Sequence, residues 1–299
     1  MVNCPITNST NVKLIEKIAV GKIEAYYDLF GIKTRDTFRN MDYVLKYYSI
    51  DSGYYFFYPF SIQGTASLYE RLEKLDWYYQ EQKWEHMKGL EWIRPTDRVL
   101  EIGCGEGSFL LSVKNKCGSA PVGLELNQHA VDKAVSIGLE VYNKDITIFS
   151  LEYREAFDVI CLFQVLEHMA EPVRFLQQAL PMLKPDGRLI ICVPDNDTLV
   201  NKDKENPLNL PPHHMGMWNK QSLRFLSTVL QLKMELLENE PLQRVHVDWY
   251  VRTLLKRIIG KRIYYRIISK TAIPLFMKKK VLAMAAHIHG HSVLSVYRK

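Results

Sequence analysis

The stretch VLEIGCGEGSFL, residues 99–110, decides how this chain folds. A short apolar run ends at Ile102, three glycines follow at alternate positions (Gly103, Gly105, Gly107), and Phe109 and Leu110 open a second, helix-like pattern. Glycine at such positions lets the backbone turn tightly and approach a ligand where a Cβ would collide. The nicotinamide-dinucleotide fingerprint wants its third glycine one place later, to admit close helix packing, and Ser108 stands there. A strand–glycine loop–helix unit is predicted, with a ligand other than a nicotinamide dinucleotide.

Outward from this stretch the rhythm repeats. RVLEI (98–102), VGLEL (122–126), LEVYN (139–143), DVICLF (158–163), RLIICV (188–193), KMELLE (233–238) and SVLSVY (292–297) read as strands. Helices are expected between them at 106–117, 127–137, 172–183 and 219–230. This alternation predicts an α/β fold, a mostly parallel sheet with helices on both faces, whose ligand sites lie just after the apolar runs. Upstream, residues 64–94 read as one helix, and residues 1–63 form a small aromatic-rich unit. Glu125, ending the second run, is placed to accept from a ribose diol. Asp145, after the third, is placed to accept from an adenine amino group, with Ile146 against the ring.

Taken in order, these pieces resemble a class I S-adenosylmethionine-dependent methyltransferase over residues 95–299. The stretches VLEIGCGEGSF, VGLELN, FDVICLFQVLEHMAEP and LKPDGRLIICVPD correspond to that family's successive motifs. The resemblance implies a Rossmann-like seven-stranded sheet with an antiparallel last strand. S-adenosylmethionine is implied as cofactor and S-adenosylhomocysteine as product. Gly103, Gly105 and Gly107 are implied to approach the methionine part, Glu125 to hold the ribose, and Asp145 and Ile146 to bracket the adenine. Glu101, Cys104, Leu126, Phe163 and Gln164 belong to the same implied cofactor site. The helix DWYYQEQKWEH (76–86) is implied to cover the pocket, bringing Tyr79 or Tyr78 to the cofactor. In similar ubiquinone-pathway O-methyltransferases an acid three residues before the Glu-His pair helps hold a divalent metal. Here that place is Gln164, a poorer ligand for a hard cation. Glu167 and His168 are therefore expected to close the fourth strand and orient the next helix, which starts at Pro172.

The whole chain further resembles methyltransferases of bacterial polysaccharide and lipopolysaccharide pathways, through CPIT, YYFFYP, YYQEQKWEHM, PPHH and GHSVLSVYRK. Many of those carry two C-x-x-C pairs that bind structural zinc near the N-terminus. Here Cys4 faces Thr7 in the first pair and the second pair is Ser49 and Ser52. Hydroxyls do not replace thiolates on zinc, so residues 1–63 are expected to be a degenerate, zinc-free ribbon held by Tyr54, Phe56, Phe57 and Tyr58 packing on the main domain. The five cysteines (Cys4, Cys104, Cys117, Cys161, Cys192) lack CxxC spacing. They are read as free thiols of a cytoplasmic chain with no secretory leader or membrane span.

Methyl transfer to a sugar hydroxyl calls for a general base, and LPPHHMGMWN (210–219), after the fifth strand, supplies His213 and His214 as catalytic candidates. If Pro211 and Pro212 hold an extended backbone, adjacent side chains diverge and only one histidine faces the acceptor. A metal is not expected, because neighbouring histidines converge poorly on one ion and no Asp, Glu or Cys accompanies them locally. Trp218 is read as the floor of a sugar site or the cap of the next helix.

The net charge of +6 is not spread evenly: residues 249–299 hold 12 Lys or Arg and no acid. Val251, Leu254, Leu255 and Ile258 recur at helical spacing among Arg252, Lys256 and Arg257, which predicts a basic helical insertion over 245–290. Residues 249–280 could contact an anionic membrane at its inner face, or pack by their apolar side. The expected acceptor is a glycan or other sugar-containing molecule, lipid-linked or at the cell surface. RNA is the rival polyanion, but the chain lacks an identifiable RNA-binding module. Two alternatives stay open, an RNA methyltransferase and a cofactor-binding protein without catalysis.

Overall fold

The computed structural model describes residues 1–72, 83–118, 120–199, 202, 209–267 and 273–299. The chain opens with β1 (Val12–Ala19), α1 (Val20–Asp28), β2 (Tyr43–Ser49), β3 (Tyr55–Tyr58), α2 (Ala66–Leu72) and α3 (Trp84–Leu90). The alternating region follows: β4 (Val99–Ile102), α4 (Ser108–Cys117), β5 (Val122–Leu124), α5 (Gln128–Ser136), β6 (Glu140–Tyr142), α6 (Ile146–Glu152), β7 (Phe157–Phe163), α7 (Pro172–Ala179) and β8 (Leu183–Pro194). It ends with β9 (Gly216–Met217), α8 (Lys220–Leu230), β10 (Lys233–Pro241), α9 (Val247–Ile259), α10 (Lys261–Ile267), α11 (Leu275–Ala283) and β11 (His289–Arg298).

All seven apolar runs fall on the strands of one sheet, ordered β10-β11-β8-β7-β4-β5-β6. β11 is antiparallel to both neighbours, while β8, β7, β4, β5 and β6 run parallel. The fold is therefore the Rossmann-like α/β class expected. Period-two alternation sends successive side chains into different cores, because helices cover both faces. Leu100, Ile160, Leu162, Leu189 and Ile191 share one core. Val99, Val159, Cys161, Ile190 and Cys192 share the other with Phe109 and Val113 of α4. The reversal of strand order between β4 and β7 opens a crevice at the carboxyl edge, where such folds bind ligands.

Residues 64–94 do not form one helix in the described part. α2 gives Leu68 and Leu72 to a core of the N-terminal unit, whereas Trp84 and Leu90 of α3 pack into the sheet core. Lys83, extended at φ −108° and ψ 142°, starts α3 afresh. α6 is also an addition to the sequence reading, which expects adenine contacts at Asp145 and Ile146 and no helix after them.

The N-terminal unit contains a four-stranded sheet, β1-β2-β3-β9, whose last strand comes from beyond residue 209. Tyr54 and Phe56 enter the main core beside Trp218 and Leu223, and Phe57 enters the N-terminal core with Leu210 and Met215. Tyr58 is half-buried. The Cys4 thiol lies 3.9 Å from the Ser52 hydroxyl, both buried. Between β10 and β11, α9 and its neighbours enclose a small core of Leu242, Val247, Val251 and Ile273. Ile258 does not join it and is 69% exposed. No described helix is long and apolar enough to cross a membrane.

Candidate functional site

At the carboxyl edge lies a cavity of about 810 Å³, within the range of small-molecule sites. Its inner end is built by the glycine loop. Gly103 (φ +77°) stands where a Cβ would come within 2.6 Å of Val165 Cγ2, so only glycine fits between loop and β7. The amide of Gly105 donates to Glu125 Oε2 at 2.9 Å, and the amides of Leu126 and Asn127 donate to Oε1 at 2.7 and 2.9 Å. The Glu125 carboxylate is thus fixed at the cavity wall by backbone donors. Asp145 caps α6, its Oδ1 accepting from the amide and hydroxyl of Thr147 at 2.8 and 2.5 Å. Ile146 beside it is buried. Glu101 is buried with Oε2 lacking a hydrogen-bond partner among the described residues, and burial pushes its pKa well up.

The cavity wall includes Glu101, Gly103, Cys104, Gly105, Glu125, Leu126, Asp145, Ile146, Phe163, Gln164, His213 and His214. Gly107 is not on it. At φ +83° a Cβ there would drive into Leu139 Cδ1, so Gly107 performs the close packing between glycine loop and neighbouring elements that the fingerprint assigns one residue later. Tyr78 and Tyr79 lie outside the described residues. The arrangement fits an adenosyl cofactor. A buried acid with an unpaired oxygen suits an ammonium, a fixed carboxylate suits a ribose, and an apolar ledge beside Asp145 suits an adenine.

The outer end is lined by His168, His213 and His214. Pro211, Pro212 and His213 form a turn, not an extended segment, so the expected divergence of the two histidines fails. Their rings stack on the same side, with centroids 4.6 Å apart and an 18° angle between planes. His168, 45 residues earlier, completes the group: its Nδ1 donates to the His213 carbonyl at 2.8 Å, and its ring lies 4.5 and 5.0 Å from the other two. The local-sequence reasoning that spoke against a metal counted no ligand from the β7 turn. One nitrogen from each of the three rings lies within 4.8 Å of the others. Three cross-links pin the turn: Gly64 N donates to Pro212 O at 2.9 Å, Met215 N to Glu167 O at 2.7 Å, and His213 N to the Tyr27 hydroxyl at 3.2 Å. Glu167 and His168 therefore organise the histidine turn as well as the end of β7. Trp218 is fully buried against Tyr54, ring centroids 4.7 Å apart, and floors no sugar site. Asn219, not Trp218, caps α8, through a reciprocal pair with Ser222. The side chain of Gln164 bonds Ser292 Oγ at 3.1 Å.

Sequence reasoning missed the far wall: His86 of α3, Glu240 of β10, His246, Trp249 of α9 and His291 of β11. A signal was present. Glu240 lies two residues after the sixth run, near the end of β10, and because β11 is antiparallel its first residues, not its last, sit at the carboxyl edge. Burial pushes His86 and His291 down to about 3 and His168 to about 4, so these rings are neutral at pH 7. Burial, aided by Glu85, raises Glu240 to about 7, and burial raises Glu167 to about 8.

Residues 66–234 match a family model described as a methyltransferase domain. The ubiquinone biosynthesis O-methyltransferase of Bradyrhizobium diazoefficiens is 28% identical over 131 residues, 41% of this chain and 51% of the relative. The tRNA U34 carboxymethyltransferase of Pseudoalteromonas translucida is 29% identical over 160 residues, 51% of this chain and 45% of the relative. The chain thus spans about half the length of the curated relatives it matches. A SAM-dependent methyltransferase from Archaeoglobus fulgidus superposes with a TM-score of 0.50 at 14% identity, covering 80% of this chain and 96% of that one, a likeness of fold.

Proposed function

The chain belongs to the methyltransferase-domain family, and from that premise we propose that it transfers a methyl group from S-adenosylmethionine to a hydroxyl oxygen of a sugar in a cell-surface or lipid-linked glycan. The observation that carries this reading is one cavity joining the Gly103–Gly105 loop, Glu125 and Asp145 to a wall of histidines. The cofactor, when bound, supplies an electrophilic methyl on a sulfonium. Glu101 and the glycine loop would hold its methionine end, Glu125 its ribose, and Asp145 with Ile146 its adenine.

The acceptor end does the remaining work. Displacement at a methyl group needs the nucleophile in line and water excluded, and the ring-bearing walls of His86, Phe163 and Trp249 would serve that exclusion. A sugar hydroxyl is too weakly acidic to ionise at pH 7, so a proton acceptor must lie beside it. His213 and His214 both present rings there. His214 Nδ1 lies 3.1 Å from Asn209 Oδ1; an amide oxygen only accepts, so that nitrogen carries the hydrogen and Nε2 holds the lone pair.

The basic insertion supports a membrane-proximal acceptor. Ile258, Ile263, Leu275 and Phe276 are exposed among lysines and arginines, the composition of a surface that rests on anionic lipid. The protein would then act at the inner face of the membrane, as a cytoplasmic enzyme. RNA methylation is the second reading, favoured by the same basic residues.

The test is release of S-adenosylhomocysteine by the purified chain given S-adenosylmethionine and a panel of nucleotide-linked and lipid-linked sugars, with tRNA as the competing acceptor. Turnover on a sugar acceptor is expected, lowered about 100-fold or more in His213→Ala and His214→Ala with cofactor affinity retained. Turnover on tRNA alone would replace the glycan reading, and full turnover in both variants would remove the histidines from the reaction.

A further inference from the structure

The histidine group has the chemistry of a metal centre, and neither the glycine-loop site nor the family match accounts for it. One ligand nitrogen from each of His168, His213 and His214 lies within 4.8 Å of the others. A metal-bound imidazole donates its second ring N–H to a carbonyl or carboxylate, which fixes the ring and leaves the other nitrogen for the ion. Two of the three rings have that arrangement. His168 Nδ1 donates to the His213 carbonyl at 2.8 Å, and His214 Nδ1 to Asn209 Oδ1 at 3.1 Å. In His214 this leaves Nε2 for the ion, while the His168 ring also interacts with the Gln164 backbone.

A second observation is independent of the rings. Glu167 is 1% exposed, and its Oε2 has no hydrogen-bond partner among the described residues. Its Oε1 lies 4.0 Å from His168 Nε2. A buried carboxylate oxygen without a donor is costly, and a cation beside it would remove that cost. Tetrahedral zinc sites with nitrogens at about 2.0–2.1 Å place ligand atoms roughly 3.3 Å apart. From separations of up to 4.8 Å the ligand atoms must approach one another by up to about 1.5 Å.

We propose that His168, His213 and His214 bind one divalent transition ion of the zinc class at the acceptor end of the cavity, with Glu167 as the adjoining carboxylate. Three imidazoles with one carboxylate favour zinc, cobalt or nickel over magnesium or calcium. Ion binding stands on this cluster alone. Its use rests on the methyl-transfer reading: with His213 and His214 as ligands the ion would take over the part of the base, the acceptor hydroxyl binding at the open position and releasing its proton to solvent, after which the C–O bond forms as the S–CH₃ bond breaks and S-adenosylhomocysteine leaves. The set is not the acid-Glu-His arrangement implied by the ubiquinone-pathway resemblance, because Gln164 bonds Ser292 and two ligands come from the His213–His214 pair.

The experiment is titration of the chelator-stripped full chain with Zn²⁺ by calorimetry and with Co²⁺ by visible absorption, each checked for metal stoichiometry. One ion per chain and a cobalt d–d spectrum with imidazole ligation are expected. His168→Gln and His214→Gln should each lower affinity by 100-fold or more, and Asn209→Leu by about 10-fold through loss of ring orientation. S-adenosylhomocysteine affinity, measured on every variant, should stay at the wild-type value, which separates loss of the ion from loss of the fold. Cys4→Ser should leave stoichiometry at one ion, excluding the N-terminal thiol as the site. Absence of saturable Zn²⁺ and Co²⁺ binding, or binding that survives both histidine substitutions, overturns the proposal. Metal binding without methyl transfer to any sugar leaves the site standing and overturns only the acceptor reading.

Discussion

His86 is enclosed by Phe109 and Phe163, each ring centroid 5.4 Å away, and its pKa falls to about 3 through burial. An unfolded histidine titrates near 6.5, so between these values the unfolded chain binds the proton and the folded chain does not. The stability held in this ring is complete above about pH 6.5 and lost as the pH falls toward about 3. His291 acts in the same direction. Glu240, raised to about 7 by burial, acts in the opposite one: its contribution is complete below the usual carboxylate range and lost as the pH rises through about 7. Melting temperature measured against pH should therefore fall on both sides of a maximum where the two windows overlap, between about pH 4.5 and 6.5. His86→Phe should flatten the acid limb; an unchanged acid limb in that variant would contradict the assignment. None of this was legible in the sequence, where His86 is one polar residue of a helix-like stretch. The glycines show the converse: their spacing announced a ligand loop, but only packing separates Gly103, against the cavity and Val165, from Gly107, against Leu139.

The turn at 211–213 and the strand β9 that follows it join the two sheets. The Tyr27 hydroxyl on α1 donates to Leu210 O at 2.9 Å and accepts from His213 N at 3.2 Å, so a helix of the N-terminal unit holds the histidine turn. Tyr27→Phe removes both bonds and leaves the ring in its core. Each such bond contributes about 1 kcal/mol, and the unpaired buried amide costs about as much again. The expected outcome is a modest loss of melting temperature and a turnover loss of 10-fold or more, with S-adenosylhomocysteine affinity unchanged, read by calorimetry and product assay. An equal loss of cofactor affinity would show that the N-terminal unit supports the whole cavity and not the turn. Short continuous apolar runs made the sheet strands legible because burial on both faces leaves their composition little freedom. Short strands such as β9 carry no such signal, since two residues paired to β3 have no periodicity to read.

The molecule as a whole joins the glycine-loop end and the histidine-lined end in one cavity. α9 contributes Trp249 to the cavity, while α10 and α11 carry exposed Ile263, Leu275 and Phe276. If this face rests on lipid, the chain should cosediment with vesicles containing anionic phospholipid and not with purely zwitterionic ones. Binding should weaken as salt rises, and more than 5-fold in the double substitution Leu275→Ser, Phe276→Ser. Equal binding to both vesicle types would contradict the charge component. The sequence by itself determined the seven-stranded α/β architecture and the glycine loop, Glu125 and Asp145 that line one end of the cavity. Those depend on features a chain carries locally: the period of apolar residues, and glycines and acids at strand ends. Tertiary structure decided the acceptor end. His168, the 213–214 pair, Glu240 and His291 converge only because the reversal of strand order and the antiparallel β11 bring distant segments to one edge, and contacts between residues far apart in the chain leave no periodicity in it.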